Sequence, residues 1–210
     1  PEQAAQQSYN FIEDYEISFM IVFIVLVTLL ILYIVYENHT RNKELLKYAQ
    51  TDALTGLYNK ETTEQLTDEL LSEDENKSHA FLILDVDCFK QINDIYGHAV
   101  GDIVLQKFGK LLKGTFREGD ILGRIGGDEF GVIMKNIQTK DIAMKKAGEL
   151  LAKTQAYKID ELKGNNISIS IGISTAPQDG DCYMDLYKCA DQALYQAKRS
   201  GKARVCNYFS

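Results

Sequence analysis

Residues 17–36, ISFMIVFIVLVTLLILYIVY, run for 20 positions without a charged side chain. At about 1.5 Å per residue such a helix extends roughly 30 Å, the thickness of a bilayer's hydrocarbon core. A helix buried in a soluble core keeps a polar stripe, and this run has none. A secretory leader needs a basic start, a shorter apolar stretch and small residues at a cleavage site. Here the preceding segment carries Glu2, Glu13, Asp14 and Glu16 and no Lys or Arg. The run therefore reads as one transmembrane helix over 17–36. Arg41, Lys43 and Lys47 follow it, and basic flanks stay inside. Residues 1–16 are thus expected on the extracytoplasmic side and residues 37–210 in the cytoplasm, on a single-pass protein of the inner or cytoplasmic membrane. Pro1 rather than Met opens the sequence, so a sensor portion is expected before it.

Beyond the span, 26 acidic residues face 23 basic ones, and the whole chain carries −7 with a pI near 5.0. No basic field is available to hold a nucleic-acid backbone. Bound phosphate must be held locally, by a metal or a few placed cations. Cys88, Cys182, Cys189 and Cys206 all fall on the reducing side and read as free thiols. They form no Cys-x-x-Cys pair, and His39, His79 and His98 are scattered, so zinc is not indicated. Two prolines and 45% hydrophobic residues exclude disorder and support one sizeable core.

Residues 37–50 have helical composition and continue the span as a connector, either solvated or pairing with a second copy. Residues 52–57 read as a turn, with Asn59 capping a helix to about Ser72. Ala80–Val86 is a short apolar run expected as a buried strand. A helical stretch over 89–116 breaks at Gly97–Gly101. Asp120–Arg124 and Glu129–Met134 read as strands around Gly126-Gly127, a turn expected to need positive φ. A helix over 139–156, an alternating, half-buried strand over 167–175, a helix over 181–200 and a last strand over 203–208 complete the chain. Such mixing predicts an α+β domain over 51–210, with a mixed or antiparallel sheet flanked by helices.

The strand ending Leu84-Asp85-Val86-Asp87 places carboxylates at the end of an apolar run, where unpaired charge is costly. Asp128-Glu129 follows the Gly-Gly turn. If the two strands are neighbours, these carboxylates converge on one sheet edge. Hard oxygen ligands in that arrangement suit Mg²⁺, whereas each pair alone is an ordinary solvated strand end. An EF-hand loop starting at Asp85 fails, because Lys90 and Tyr96 stand where Gly and Glu are required.

Arg124-Ile-Gly-Gly-Asp-Glu-Phe130, preceded by Asp85-Val-Asp-Cys-Phe-Lys-Gln-Ile-Asn-Asp94 and Gly97-His-Ala-Val-Gly-Asp102, resembles the GGDEF family of diguanylate cyclases. Asp52-Ala-Leu-Thr-Gly-Leu-Tyr-Asn59 matches the family's opening motif and Ala197-Lys-Arg-Ser-Gly-Lys202 its closing one. The resemblance covers about residues 51–208 and implies a fold similar to adenylyl cyclase and polymerase palm domains. It implies synthesis of cyclic di-GMP from two GTP, with release of two pyrophosphates, across a homodimer. Metal ligands would map to Asp85, the carbonyl of Val86 and Asp128, holding Mg²⁺ or Mn²⁺ against the triphosphate. Glu129 would accept the 3′-hydroxyl proton. Asn93 and Asp102 would read the guanine edge. His98 would border that pocket or serve only as a structural polar residue.

Backbone N–H groups of Cys88 and Phe89 are suited to phosphate oxygens, with charge supplied by Lys90, Lys198 and Lys202. The bland alternative leaves Lys198 and Lys202 as a solvated helix end. The family more often has Arg at 202 and Asn at 203, where this chain has Lys202 and Ala203. Lys keeps the charge and loses the bidentate fork. The resemblance assigns Arg117 and Asp120 to a product-inhibition site for cyclic di-GMP. On the bare residues, Arg-x-x-Asp is an ordinary surface ion pair. A domain of this kind that had lost catalysis would instead be a receptor for GTP or cyclic di-GMP. A cyclase of relaxed base choice is disfavoured by the retained Asp102.

Overall fold

The computed structural model describes residues 19–20, 23–39, 41, 49–73 and 77–208. Two units divide at Ala49 and Gln50. In the first, residues 23–39 form a helix, α1, whose apolar side chains from Phe23 to Tyr36 are exposed. Among the described residues no helix is long and apolar enough to cross a membrane. The expected span 17–36 is described only in part, since 17, 18, 21 and 22 lie outside the described residues. So do the expected outer flank 1–16 and most of the connector over 37–50.

In the second unit, α2 (Lys60–Glu73) precedes β1 (His79–Val86), α3 (Phe89–Tyr96) and α4 (His98–Lys113). Then follow β2 (Ile121–Arg124), β3 (Glu129–Met134) and α5 (Lys140–Ala156). A 3₁₀ turn over Asp160–Leu162, β4 (Ile169–Ala176), α6 (Tyr183–Arg199) and β5 (Val205–Asn207) close the chain. The sheet order is β2-β3-β1-β4-β5, antiparallel except for the parallel β4–β5 pair. It is a mixed sheet, as the pattern predicts. The 89–116 helical stretch ends at Lys113 and breaks only at Gly97, whose φ of 86° stops α3 before α4 starts.

Helices cover both faces of the sheet. Leu82, Leu84, Val86, Phe130, Val132, Ile169 and Ile171 pack on one side against Val104, Leu105, Phe108, Ala147 and Leu150 of α4 and α5. On the other side Phe81, Ile83 and Ile133 meet Leu70 and Leu71 of α2 and Leu186, Ala190 and Leu194 of α6. This double burial is why β1 is nearly continuous in apolar residues rather than alternating. With period-2 side chains, odd positions of β1 face α2 and α6, which puts Asp85 on that face.

Candidate active site

Register fixes the strand-end chemistry. Asp85 lies directly opposite Glu129 on β3 and Ser170 on β4. Like charges directly opposite each other weaken a sheet, so this pairing costs stability where it stands. Asp85 is only 7% exposed, and Lys198 of α6 places Nζ 2.7 Å from its Oδ2. Burial pushes the Asp85 carboxyl up; the Lys198 hydrogen bond and charge oppose this, and Asp128 and Glu129 push it further, leaving it raised. The Val86 N–H donates to the Asp128 carbonyl at 3.2 Å, stitching the two strand ends. Three carboxylates against one ammonium leave net negative charge, the donor set a divalent cation fits. Their oxygens do not form a tight cluster: among the described residues, the group with ligand atoms within 4.8 Å of one another is Asp181, Cys182 and Asp185.

The other half of the first acidic pair has different work. Asp87, grouped with Asp85 by sequence, accepts from the hydroxyls of Ser168 and Ser170 at 2.6 and 2.7 Å and from the Ala203 N–H at 3.1 Å. Next to it, Cys88 sits in left-handed backbone (φ 59°) and opens α3 with no side chain capping the helix. The Cys88 and Phe89 amides therefore stand at a helix start, as the sequence predicts for phosphate donors, with exposed Lys90 on the first turn. Lys202 reaches this turn from the closing loop, its Nζ donating to Cys88 Sγ at 3.1 Å. Neither Lys198 nor Lys202 is a plain solvated helix end, because both converge on the Asp85–Cys88 segment.

The α3–α4 break sets Asn93 against Gly101, the residue before Asp102. Asn93 presses against Gly101: a Cβ there would lie 1.9 Å from Asn93 Oδ1. That Oδ1 is buried without a hydrogen-bond partner. A buried acceptor left open costs on the order of 1–3 kcal/mol and marks a place where a donor fits. Asp102 and His98 are exposed on the first turns of α4. Gly101 has no role in the sequence reading; its only signal there is its place in Gly97-x-x-x-Gly101.

The Gly126-Gly127 turn corrects an expectation, since neither glycine has positive φ. Gly126 leaves room for Glu129: a Cβ would lie 2.8 Å from its Oε2 and 3.1 Å from its Cβ, so a side chain there would displace the carboxylate. The Gly127 carbonyl accepts from Arg124 Nε and Nη2 at 3.1 and 2.7 Å. The same guanidinium contacts both Asp52 oxygens at 3.2 and 3.1 Å. Asp52 and Arg124 thus tie the opening turn to the acidic loop, a link the sequence did not show. Arg117 and Asp120 do pair, at 3.4 Å. Asp120 is nevertheless occupied internally, accepting also from the N–H groups of Arg117 and Lys135, each at 3.1 Å. Arg117 Nη2 donates to the Lys135 carbonyl at 2.6 Å.

With this geometry in place, comparison with known proteins decides the family. A model described as "Diguanylate cyclase, GGDEF domain" matches residues 49–204. This chain belongs to the GGDEF domain family. It is 36% identical to diguanylate cyclase A of Treponema denticola over 171 residues, 78% of this chain and 46% of that protein. The GGDEF domain of TpbB from Pseudomonas aeruginosa superposes with a TM-score of 0.72 at 33% identity, covering 76% of this chain and 94% of that one. The GGDEF domain of DgcB from Caulobacter crescentus, solved in complex with c-di-GMP, gives 0.71 at 25% identity, covering 77% and 94%. The chain spans about half the length of the curated relatives it matches.

Proposed function

We propose that this GGDEF domain is a membrane-anchored diguanylate cyclase that condenses two GTP into cyclic di-GMP. The observation that carries the reading is Asp85 held opposite Glu129 and beside Asp128, with Lys198 as counter-charge. Asp85, the Val86 carbonyl and Asp128 would hold Mg²⁺ or Mn²⁺, which when bound draws charge from the triphosphate and the α-phosphorus.

The chain's own groups do the rest. Asn93 offers its side-chain amide to the guanine edge, and Asp102 accepts from the N1 and N2 hydrogens. The Cys88 and Phe89 amides cradle phosphate, with Lys90, Lys198 and Lys202 neutralising it. Lys198 leaves Asp85 for phosphate, a short swing for a flexible ammonium. Glu129 takes the proton of the 3′-hydroxyl as that oxygen bonds to the α-phosphorus of the other GTP. The bond to the β-phosphate breaks, and pyrophosphate leaves. The second such step closes the ring. Each domain supplies one GTP, so two copies must face each other before either attack occurs. The apolar run 17–36 holds both copies in one bilayer. Arg117 is assigned to product inhibition, its side chain 63% exposed and its guanidinium paired with Asp120.

The 210-residue chain, solubilised and supplied with Mg²⁺ and GTP, is expected to yield cyclic di-GMP and pyrophosphate by mass spectrometry. Glu129→Gln is expected to cut turnover by about 10²-fold or more at unchanged GTP binding. GTP left intact by chains held as dimers, together with tight cyclic di-GMP binding, would replace this reading with a receptor.

A further inference from the structure

Asp87 lies two residues beyond Asp85, and its carboxylate is already engaged by protein donors. Oδ1 accepts from Ser170 Oγ, and Oδ2 accepts from both Ser168 Oγ and the Ala203 N–H. With the residue 7% exposed and three donors on two oxygens, little lone-pair capacity is left for an ion.

What it grips is strained. Gly201, Lys202 and Ala203 run consecutively through positive φ, at 111°, 60° and 49°. Glycine accepts such backbone without cost, whereas a Lys followed by an Ala does not. Strained backbone persists only where its surroundings over-determine it. Four ties do so here: Gly201 N–H to the Lys198 carbonyl at 3.4 Å and Lys202 N–H to the Ala197 carbonyl at 3.1 Å, closing α6, Arg204 Nε to the Lys202 carbonyl at 3.0 Å, and Ala203 N–H to Asp87. Between those ties Lys202 extends to Cys88 Sγ at the strand-to-helix turn. Asn tolerates left-handed backbone through its short polar side chain; Ala203 has no such side chain, so the loop depends on the external tie.

We propose that Asp87 is a positioning residue for triphosphate binding, acting through the Ala203 amide to hold the closing loop where Lys202 reaches the Cys88 turn. The inference rests on the cyclase reading for its substrate, and on hydrogen bonds alone for the link between Asp87 and the loop.

The test uses the full 210-residue chain, with GTP and Mg²⁺ titrated separately. Asp87→Ala is expected to raise the GTP KM about ten-fold while kcat stays within about two-fold, since the lost contact acts on binding. Adding Ala203→Gly to Asp87→Ala restores most of that KM, because glycine holds the left-handed loop unaided. Asp87→Asn also recovers most of the loss: its amide oxygen accepts from Ser168 and Ala203 while its amide nitrogen donates to Ser170. Trypsin cleavage after Lys202 or Arg204, read by release of the C-terminal residues beyond the cut, is faster in Asp87→Ala and slowed again by Ala203→Gly. A raised Mg²⁺ requirement in Asp87→Asn would overturn the inference and make Asp87 an ion ligand. So would failure of Ala203→Gly to restore either KM or protease resistance. If Asp87→Ala does not fold, the Mg²⁺ titration of Asp87→Asn decides alone. A parent chain that makes no cyclic di-GMP defeats the cyclase reading, while the trypsin pattern still judges the link between Asp87 and the loop.

Discussion

At the scale of single residues, the site depends on missing atoms as much as on charges. Gly101 leaves room for Asn93 Oδ1, and Gly126 leaves room for Glu129 Oε2. A methyl at 101 meets the tip of a flexible side chain, so Asn93 turns aside and the backbone stays. Gly101→Ala is therefore expected to raise the GTP KM about ten-fold or more, with a melting temperature within a few degrees of the parent; calorimetry beside steady-state kinetics checks both. An unchanged KM would mean that Asn93 does not read the base. The motif makes Asn93 and Asp102 visible in the sequence, whereas the need for Gly101 arises only from how closely α3 approaches α4. Asp87 shows the opposite error. Its spacing from Asp85 makes it look like a partner in ion binding, and only β4 and the closing loop reveal the donors that occupy it.

Among elements, two contacts decide how the site is held. Gly172 of β4 touches α6 so closely that a Cβ would lie 2.1 Å from the Ala190 carbonyl oxygen and 2.3 Å from the Leu194 nitrogen. These are backbone atoms of a long helix and cannot rotate away. Gly172→Ala is expected to destabilise the domain by about 2–4 kcal/mol, by pushing off the helix that carries Lys198; denaturant unfolding measures it. The second contact is the Asp52–Arg124 tie. Burial pushes the Asp52 carboxyl up, but hydrogen bonds from the Thr55 side chain and amide, with the Arg124 charge, leave it below its usual value. A depressed carboxyl stabilises above its unfolded value, near pH 3.9, and that stabilisation is lost as pH falls through the folded one. Asp52→Asn is thus expected to lower the melting temperature at pH 7, with the gap to the parent closing below about pH 4. A gap that persists in acid would assign the effect to lost turn geometry rather than charge. Strand and helix positions were legible because apolar periodicity fixes them. Arg124 was not, since its partners are 72 residues upstream and three residues on, and nothing local links the three.

For the whole molecule, the helix-flanked sheet followed from the chain's own pattern: an apolar run in β1, and helices between strands. Burial of β4 on both faces did not, because its Ile–Ser alternation reads as a strand buried on one face only. What joins two such molecules lies outside that pattern, yet the proposed chemistry requires it. On that reading one domain binds one GTP, so neither 3′-hydroxyl meets an α-phosphorus until a second domain is placed opposite. If residues 17–36 confine the chains to a bilayer, the relevant concentration is chains per area of membrane, and a tether raises encounter without any new contact. Reconstituted at fixed protein and rising lipid, the chain is expected to lose turnover per molecule as neighbours thin out. Once most chains sit alone the loss becomes proportional to dilution. Fusing residues 37–210 to an obligate dimeric coiled coil should abolish the dependence, because the partner then travels with the domain. Arg117→Ala separates geometry from feedback in the same vesicles. If Arg117 serves product inhibition, removing its exposed side chain should leave the initial rate unchanged and extend the linear phase of product formation. Turnover per chain that is indifferent to lipid dilution without the fusion would mean that the domains meet by some contact stronger than shared membrane, and would move the control of catalysis from the bilayer to a permanent interface.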